Sequence, residues 1–296
     1  FQAEDGIRDC LLSRGLGDVY KRQGVNQIVT LNEKDAIEFS EDFSSIKKTK
    51  TLFQKTQINS NIIHKESNFV DFNRERLIYH MCSSEGPKMT KGDINGDNEE
   101  DILISSSKGN TTQILIRNGS DYYLDEKNKK IFNDLRDVEN SEILPFDADN
   151  DGDLDLYYSS GSVEHSIYSQ TLYDRLLLNN GQGEFVDSNQ SLPDINNKIS
   201  TGVVISGDID NDGDLDVFVL NTAESAMLLR NEGADRGHWL SVALRGGESN
   251  WDAYGARVEV WSDARRWVRE KRSASSYLSQ SDPRLHFGLG ENASVD

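Results

Sequence analysis

The 296-residue chain carries 51 Asp or Glu against 32 Lys or Arg, a formal net charge of −19, with 35% hydrophobic residues. That acidity argues against a nucleic-acid or anionic-membrane surface, and no apolar run reaches the roughly 20 residues of a membrane span. The length suffices for a buried core, and two cysteines, Cys10 and Cys82, are too few for a disulfide-stapled scaffold.

The first 23 residues read as non-native. Gln2-Ala-Glu-Asp-Gly-Ile-Arg-Asp9 resembles the conceptual translation of a sequencing primer, and Ser13-Arg-Gly-Leu-Gly-Asp-Val-Tyr-Lys-Arg-Gln23 that of a transposon-end library adapter, so they carry no fold expectation. Their charges cancel, and without Cys10 only Cys82 remains, which forbids an intrachain disulfide. Residues 38–61, polar and rich in Lys, Thr and Asn from Lys47 onward, read as a linker.

Three acidic loops then stand directly before β-type runs. They are Asp93-Ile-Asn95-Gly-Asp97-Asn-Glu99-Glu-Asp101, Asp147-Ala-Asp149-Asn-Asp151-Gly-Asp153-Leu-Asp155 and Asp208-Ile-Asp210-Asn-Asp212-Gly-Asp214-Leu-Asp216. Oxygen ligands at positions 1, 3, 5 and 9, with a main-chain carbonyl at position 7, can surround Ca2+ at about 2.3–2.6 Å, given a turn-forming residue at position 6. Gly152 and Gly213 fill position 6 in two loops, and Asn98, the next most tolerant of a left-handed conformation, fills it in the first. Crowded carboxylates argue for an ion, since two unit charges about 4 Å apart repel by roughly 1 kcal/mol in water and roughly 4 kcal/mol at a protein-surface dielectric. An EF-hand is excluded, because it needs a bidentate Glu at position 12 followed by a helix. Position 12 is Ile104, Tyr158 or Val219, inside runs of strand character, so the loops feed strands.

The loops recur at separations of 54 and 61 residues, Asp93 to Asp147 and Asp147 to Asp208. Each repeat continues into a strand that meets a turn: Leu115-Ile-Arg-Asn-Gly119, Leu177-Leu-Asn-Asn-Gly181 and Leu228-Leu-Arg-Asn-Glu-Gly233. A unit of this size cannot bury its own apolar face, so neighbours must stack. With little helical periodicity, the fold class expected is all-β.

From Arg236 to Asp296 the charge changes: nine Lys or Arg face eight Asp or Glu, a net of +1, which leaves −20 on residues 24–235. Trp239-Leu-Ser-Val-Ala-Leu244 and Ala256-Arg-Val-Glu-Val260 alternate with period two, and Pro283 and Gly288 punctuate the next strands, so residues 236–296 read as a small β domain. Arg265, Arg266, Arg269, Lys271 and Arg272 read as charged strand positions on a solvated face rather than as a nucleic-acid patch.

These residues resemble known families. The acidic loops with the turn Asn180-Gly-Gln-Gly-Glu-Phe185 are similar to FG-GAP, or VCBS-type, repeats of calcium-binding β-propellers. The stretch His238-Trp-Leu-Ser-Val-Ala-Leu-Arg-Gly246, then Gly255-Ala-Arg-Val-Glu-Val260 and Ser276-Tyr-Leu-Ser-Gln-Ser-Asp-Pro-Arg-Leu-His-Phe-Gly-Leu-Gly290, resembles the ASPIC/UnbV domain, and together they resemble the cartilage acidic protein family and its bacterial relatives. Gly24 to Ala36 is similar to the closing segment of such a domain, which makes residues 24–37 the tail of a preceding copy. The resemblance implies a partial calcium-binding β-propeller over 62–235, followed by a small β domain at 236–296. Three repeats stand where the family places a whole propeller, too few to close a ring.

The five histidines show no metal-ligand spacing and Cys82 has no sequence partner, which argues against zinc. No nucleophile elbow, phosphate loop or dinucleotide fingerprint occurs after residue 23. The function expected is therefore non-enzymatic: a repeat protein with structural calcium and a β surface for a protein or glycan partner, which the family resemblance implies is exported and extracellular, cell-surface or periplasmic. A propeller hydrolase or lyase acting on polysaccharide is the rival, since propellers also host such enzymes.

Overall fold

Runs that alternate apolar and polar residues pair into antiparallel sheets, and a sheet is buried only on faces that a neighbour covers. The structure, a computed structural model, describes residues 62–295 apart from 79–80, 82, 85, 167, 194–200, 222–224, 234–236, 248–249, 263–264 and 276–278. The readings of 1–23 as adapter, 24–37 as a domain tail and 38–61 as linker, and that of Cys82, lie outside the described residues. All described residues belong to one compact unit, Gln57–Asp296.

The first sheet runs in chain order through β1 (Met89–Gly92), β2 (Asp101–Ile104), β3 (Gln113–Asn118) and β4 (Asp121–Leu124). β5 (Asn140–Phe146), β6 (Asp155–Ser160), β7 (Arg175–Asn179) and β8 (Phe185–Asp187) repeat that order. The third sheet has three strands, β9 (Thr201–Gly207), β10 (Asp216–Asn221) and β11 (Met227–Leu229). Each acidic loop is the hairpin connection between the first two strands of its sheet: Gly92 pairs with Asp101, Phe146 with Asp155, and Gly207 with Asp216. The loops do feed strands, as position 12 required.

Ile94, Leu103 and Ile114 of the first sheet pack on Ile143, Leu156, Tyr158, Leu177 and Phe185 of the second. A short helix that periodicity did not reveal, α1 (Lys129–Asp134), closes this layer; Phe132 lies 6.3 Å from Tyr158 between ring centroids. On the other side of the second sheet, Leu144, Phe146, Tyr157 and Leu176 meet Val204, Val217 and Val219 of the third. The middle sheet is thus covered on both faces, and β6 is buried at every residue. The third sheet is covered on one, which leaves Phe218 and Leu220 exposed. Each fully buried aliphatic or aromatic side chain contributes about 1.5–3 kcal/mol, so the stacking of sheets dominates stability.

In the C-terminal domain β12 (His238–Val242) pairs with β15 (Leu285–Gly290), and β13 (Arg257–Trp261) with β14 (Arg266–Glu270). Val260, Trp267, Phe287 and Leu289 form its core. Pro283 precedes β15 as expected, but Gly288 lies inside the strand instead of interrupting it. Its role is close approach, because a Cβ there would collide with the Asp147 carboxylate and the Asn150 backbone. The domain lies against the acidic loops, and Arg269, Lys271 and Arg284 share a cavity of about 800 Å3 with Met89, Pro145 and Ser206 of the three sheets. No helix among the described residues is long and apolar enough to cross a membrane.

Candidate metal-binding loops

Two left-handed residues shape each loop. Positions 4 and 6 have positive φ in all three: Gly96 and Asn98 at 76° and 67°, Asn150 and Gly152 at 58° and 93°, Asn211 and Gly213 at 61° and 100°. Gly and Asn are the residues that adopt this region most readily, so the Asn or Gly at position 4 was a readable signal alongside position 6. Glycine at position 6 has a second cause in the later loops: a Cβ on Gly152 would overlap Trp267, and one on Gly213 would overlap Trp239.

This winding gathers positions 1, 3 and 5. Asp147, Asp149 and Asp151 each place a carboxylate oxygen within 4.8 Å of the others, and Asp208, Asp210 and Asp212 do the same. Asp147 and Asp208 are 3% and 4% exposed. Gly152 N donates to Asp147 Oδ2 at 3.0 Å, whereas Asp147 Oδ1, Asp149 Oδ1 and both oxygens of Asp208 have no hydrogen-bond partner. A buried acceptor left without a donor costs about 1–3 kcal/mol, more when charged. A hard divalent cation would satisfy several at once.

The first loop is satisfied differently. Position 3 is Asn95, whose Nδ2 donates to Asp97 Oδ2 at 3.0 Å. Asp93 Oδ1 accepts the N–H groups of Gly96 and Asp97 at 2.9 and 3.0 Å, and Oδ2 accepts that of Asn98 at 2.8 Å. The loop therefore offers fewer carboxylates and fewer free acceptors than the other two.

Positions 7 and 9 hold the loops from outside. Glu99 pairs with Arg117 at 3.0 Å, Asp153 pairs with Arg265, and Asp214 Oδ1 accepts from Asn150 Nδ2 at 2.6 Å. The position-9 carboxylate is a clip in every repeat. Asp155 Oδ2 accepts from Ala148 N and Oδ1 from Asn179 N, both at 2.8 Å. Asp101 does the same with Ile94 and Arg117, and Asp216 with Ile209 and Asn231. All three are 0–1% exposed and tie position 2 to the third strand or the turn after it.

Two residues that motif reading passed over complete the joints between sheets. Asn179 Nδ2 donates to the carbonyls of Ile94, in the loop of the preceding sheet, at 2.8 Å and of Leu154 at 3.0 Å. Its Oδ1 accepts the N–H groups of Gly181 and Gly183, both at 3.1 Å. Asn231 repeats this one sheet later, reaching the Ala148 carbonyl at 2.8 Å and holding Gly233 N at 3.1 Å. The asparagine standing before the turn in the second and third repeats was the signal. In the first sheet the equivalent residue is Arg117, which bonds Glu99 and the Gly119 carbonyl at 3.0 Å.

Burial pushes the Asp147 carboxyl up to about 7, with Asp151 and Asp149 adding repulsion and Arg269 opposing it. Burial likewise raises Asp155 to about 8 and Asp101 to about 6, against the pull of their backbone donors. Asp93 and Asp151 are raised by the same desolvation.

The basic residues of the C-terminal domain do not form a solvated face. Arg265 Nη1 donates to the Asp151 carbonyl at 3.1 Å while Nη2 pairs with Asp153. Arg272 pairs with Glu100 and donates to the Lys91 carbonyl at 3.1 Å. Arg269 lies 5.7 Å from the Phe287 ring with its charge acting on Asp147 and Asp93, and Lys271 is buried against the Pro283 carbonyl. Only Arg266, paired with Glu259 at 2.6 Å and stacked on Trp261, fits the solvated reading. Strand alternation put all five on one solvated face and missed the acidic surface that receives Arg265 and Arg272.

Sheets of one order, each with an aspartate loop between its first two strands, define a repeat-containing all-β protein with, among the described residues, two clusters able to hold a metal ion. Residues 166–219 match the family model described as FG-GAP-like repeat, and residues 246–296 match that described as ASPIC and UnbV. The first match contains the third loop; the two earlier loops share its residue pattern and lie outside the matched residues. No curated protein matches the chain.

Proposed function

We propose that the chain is a non-enzymatic, exported calcium-binding repeat protein whose stacked sheets are propeller blades presenting a β surface to a protein or glycan partner. The buried, unpartnered oxygens of Asp147 and Asp208 at the centres of two aspartate trios carry this reading. Calcium is structural in it: Asp147, Asp149 and Asp151 hold one ion and Asp208, Asp210 and Asp212 another, with main-chain carbonyls at position 7. The first loop, with Asn95 in its trio, binds more weakly. Millimolar extracellular calcium fills sites with dissociation constants of about 0.1–1 mM, whereas cytosolic calcium leaves them empty. Export and weak structural sites therefore belong together.

Calorimetric titration with calcium tests the reading. Two sites are expected at sub-millimolar affinity, with Asp147→Asn and Asp208→Asn each removing one and Asp93→Asn removing neither. A thermal midpoint that millimolar calcium leaves equal to that in chelator would falsify the structural role.

A further inference from the structure

We propose that cation binding at the second acidic loop and seating of the C-terminal domain are one coupled event, transmitted through Asn150. The domain then acts as a lid that closes more firmly on a filled loop. This rests on the calcium reading above.

Asn150 sits between two ligand residues, yet its own bonds all leave the loop. Its carbonyl accepts Gly290 N at 2.9 Å, and Oδ1 meets His286 Nε2 at 2.8 Å, both in β15. Its Nδ2 donates to Gly213 O at 3.2 Å and to Asp214 Oδ1 at 2.6 Å in the third loop. The residue is 5% exposed and left-handed at φ 58°. One side chain thus joins the second loop, the third loop and the lid.

The lid fits the loops by shape as well. Gly288 lets β15 approach Asp147, Trp267 covers Gly152, and Trp239 covers Gly213. Arg265 holds the Asp151 carbonyl, and Arg284 holds the Asp208 carbonyl at 2.8 Å and Asn211 Oδ1 at 2.9 Å. None of these lid hydrogen bonds uses a carboxylate oxygen at position 1, 3 or 5. Lid and cation therefore do not compete for ligand atoms, and both require the same loop conformation. Whichever binds first removes ordering cost from the other, and by linkage the affinity factor is the same in both directions.

All four tryptophans, Trp239, Trp251, Trp261 and Trp267, lie in residues 236–296, so tryptophan emission reports on the lid. The full chain is titrated with calcium chloride while emission, bound calcium and amide exchange over 287–290 are followed. Emission is expected to change in step with occupancy, and exchange over 287–290 to slow about tenfold. Asn150→Gly keeps the positive φ, as Gly96 does at the same position of the first loop, and deletes both side-chain links. That variant should bind the same number of ions, the second loop about 5–10-fold more weakly, a coupling of ordinary size. Its exchange over 287–290 should no longer respond to calcium. Arg265→Gln, which loosens the lid from its own side, should weaken the second loop in the same direction and covers the case in which the glycine variant does not fold. Calcium bound with normal stoichiometry, but with 287–290 indifferent to it and Asn150→Gly at wild-type affinity, overturns the coupling and leaves the calcium reading standing. No bound calcium in the wild type overturns both.

Discussion

At the scale of single residues, Asn179 shows how a repeat is joined to its predecessor. It saturates both carbonyl and amide of its side chain, and it lies 8% exposed between the Ile94 and Leu154 carbonyls. Asn179→Ala leaves those two acceptors and two turn N–H groups without partners, and buried unpaired groups cost about 1–3 kcal/mol each when water cannot replace the bond. A loss of about 2–4 kcal/mol in urea unfolding is expected. Arg117→Ala, at the equivalent position of the first sheet, removes a half-exposed ion pair and should cost under about 1 kcal/mol. Equal losses for the two variants would show that Asn179 is a turn residue and nothing more. The Asn-Gly turn was legible as a turn from its residue types. That its asparagine reaches back into the preceding loop was not, because strand and turn chemistry are local in sequence and this bond spans 85 residues.

At the scale of elements, loop and strand were legible together, since position 12 placed a strand behind each loop and β2, β6 and β10 begin at the position-9 aspartates. Which faces are covered was less legible. The run Asp155–Ser160 is buried throughout while Asp216–Asn221 alternates, although both follow the same loop motif. The difference is neighbourhood: the second sheet has a sheet on each side, and the third has one. Amide exchange should rank them accordingly, because protection follows the free energy of local opening. Amides of β6 and β7 are expected to exchange slowest, near the global unfolding limit, and those of β11, the short edge strand of the third sheet, at least about tenfold faster. Uniform protection across the three sheets would mean that the third has a cover on the face that exposes Phe218, Leu220 and Leu228. The five basic residues around β14 show the same limit of period-two reading. Alternation put all five on a solvated face, because the acidic loops that receive Arg265 and Arg272 lie more than a hundred residues away.

At the scale of the whole molecule, acidity is stored in the folded state as well as spread over the surface. Away from the loops, burial raises Asp174 to about 6, even with Tyr157, Ser160 and Thr201 donating to it, and Glu139 to about 7. A carboxyl whose folded pKa lies above its unfolded value is favoured in its protonated form by folding. Below about pH 4 both states hold the proton, and the contribution is constant. Between about pH 4 and 7 the folded state holds more protons than the unfolded state, so stability falls as pH rises. Above about 7 both states have lost the proton and the slope vanishes. On the proposed calcium reading, bound ions keep the aspartate trios charged, and the slope that remains belongs to buried carboxyls outside them: Asp101, Asp155, Asp174 and Glu139. Glu139→Gln mimics the protonated side chain and can still accept the Lys108 N–H, which lies 2.7 Å from the carboxylate. It should match the wild type near pH 4.5 and exceed it by about 1–2 kcal/mol at pH 8. A tenfold difference in proton affinity between the folded and unfolded chain is worth about 1.4 kcal/mol, and the partial exposure of Glu139 reduces the total. Thermal unfolding of both proteins at the two pH values, in calcium, decides it: a variant less stable than the wild type at pH 8 would mean that the charged carboxylate is held by partners stronger than its burial penalty.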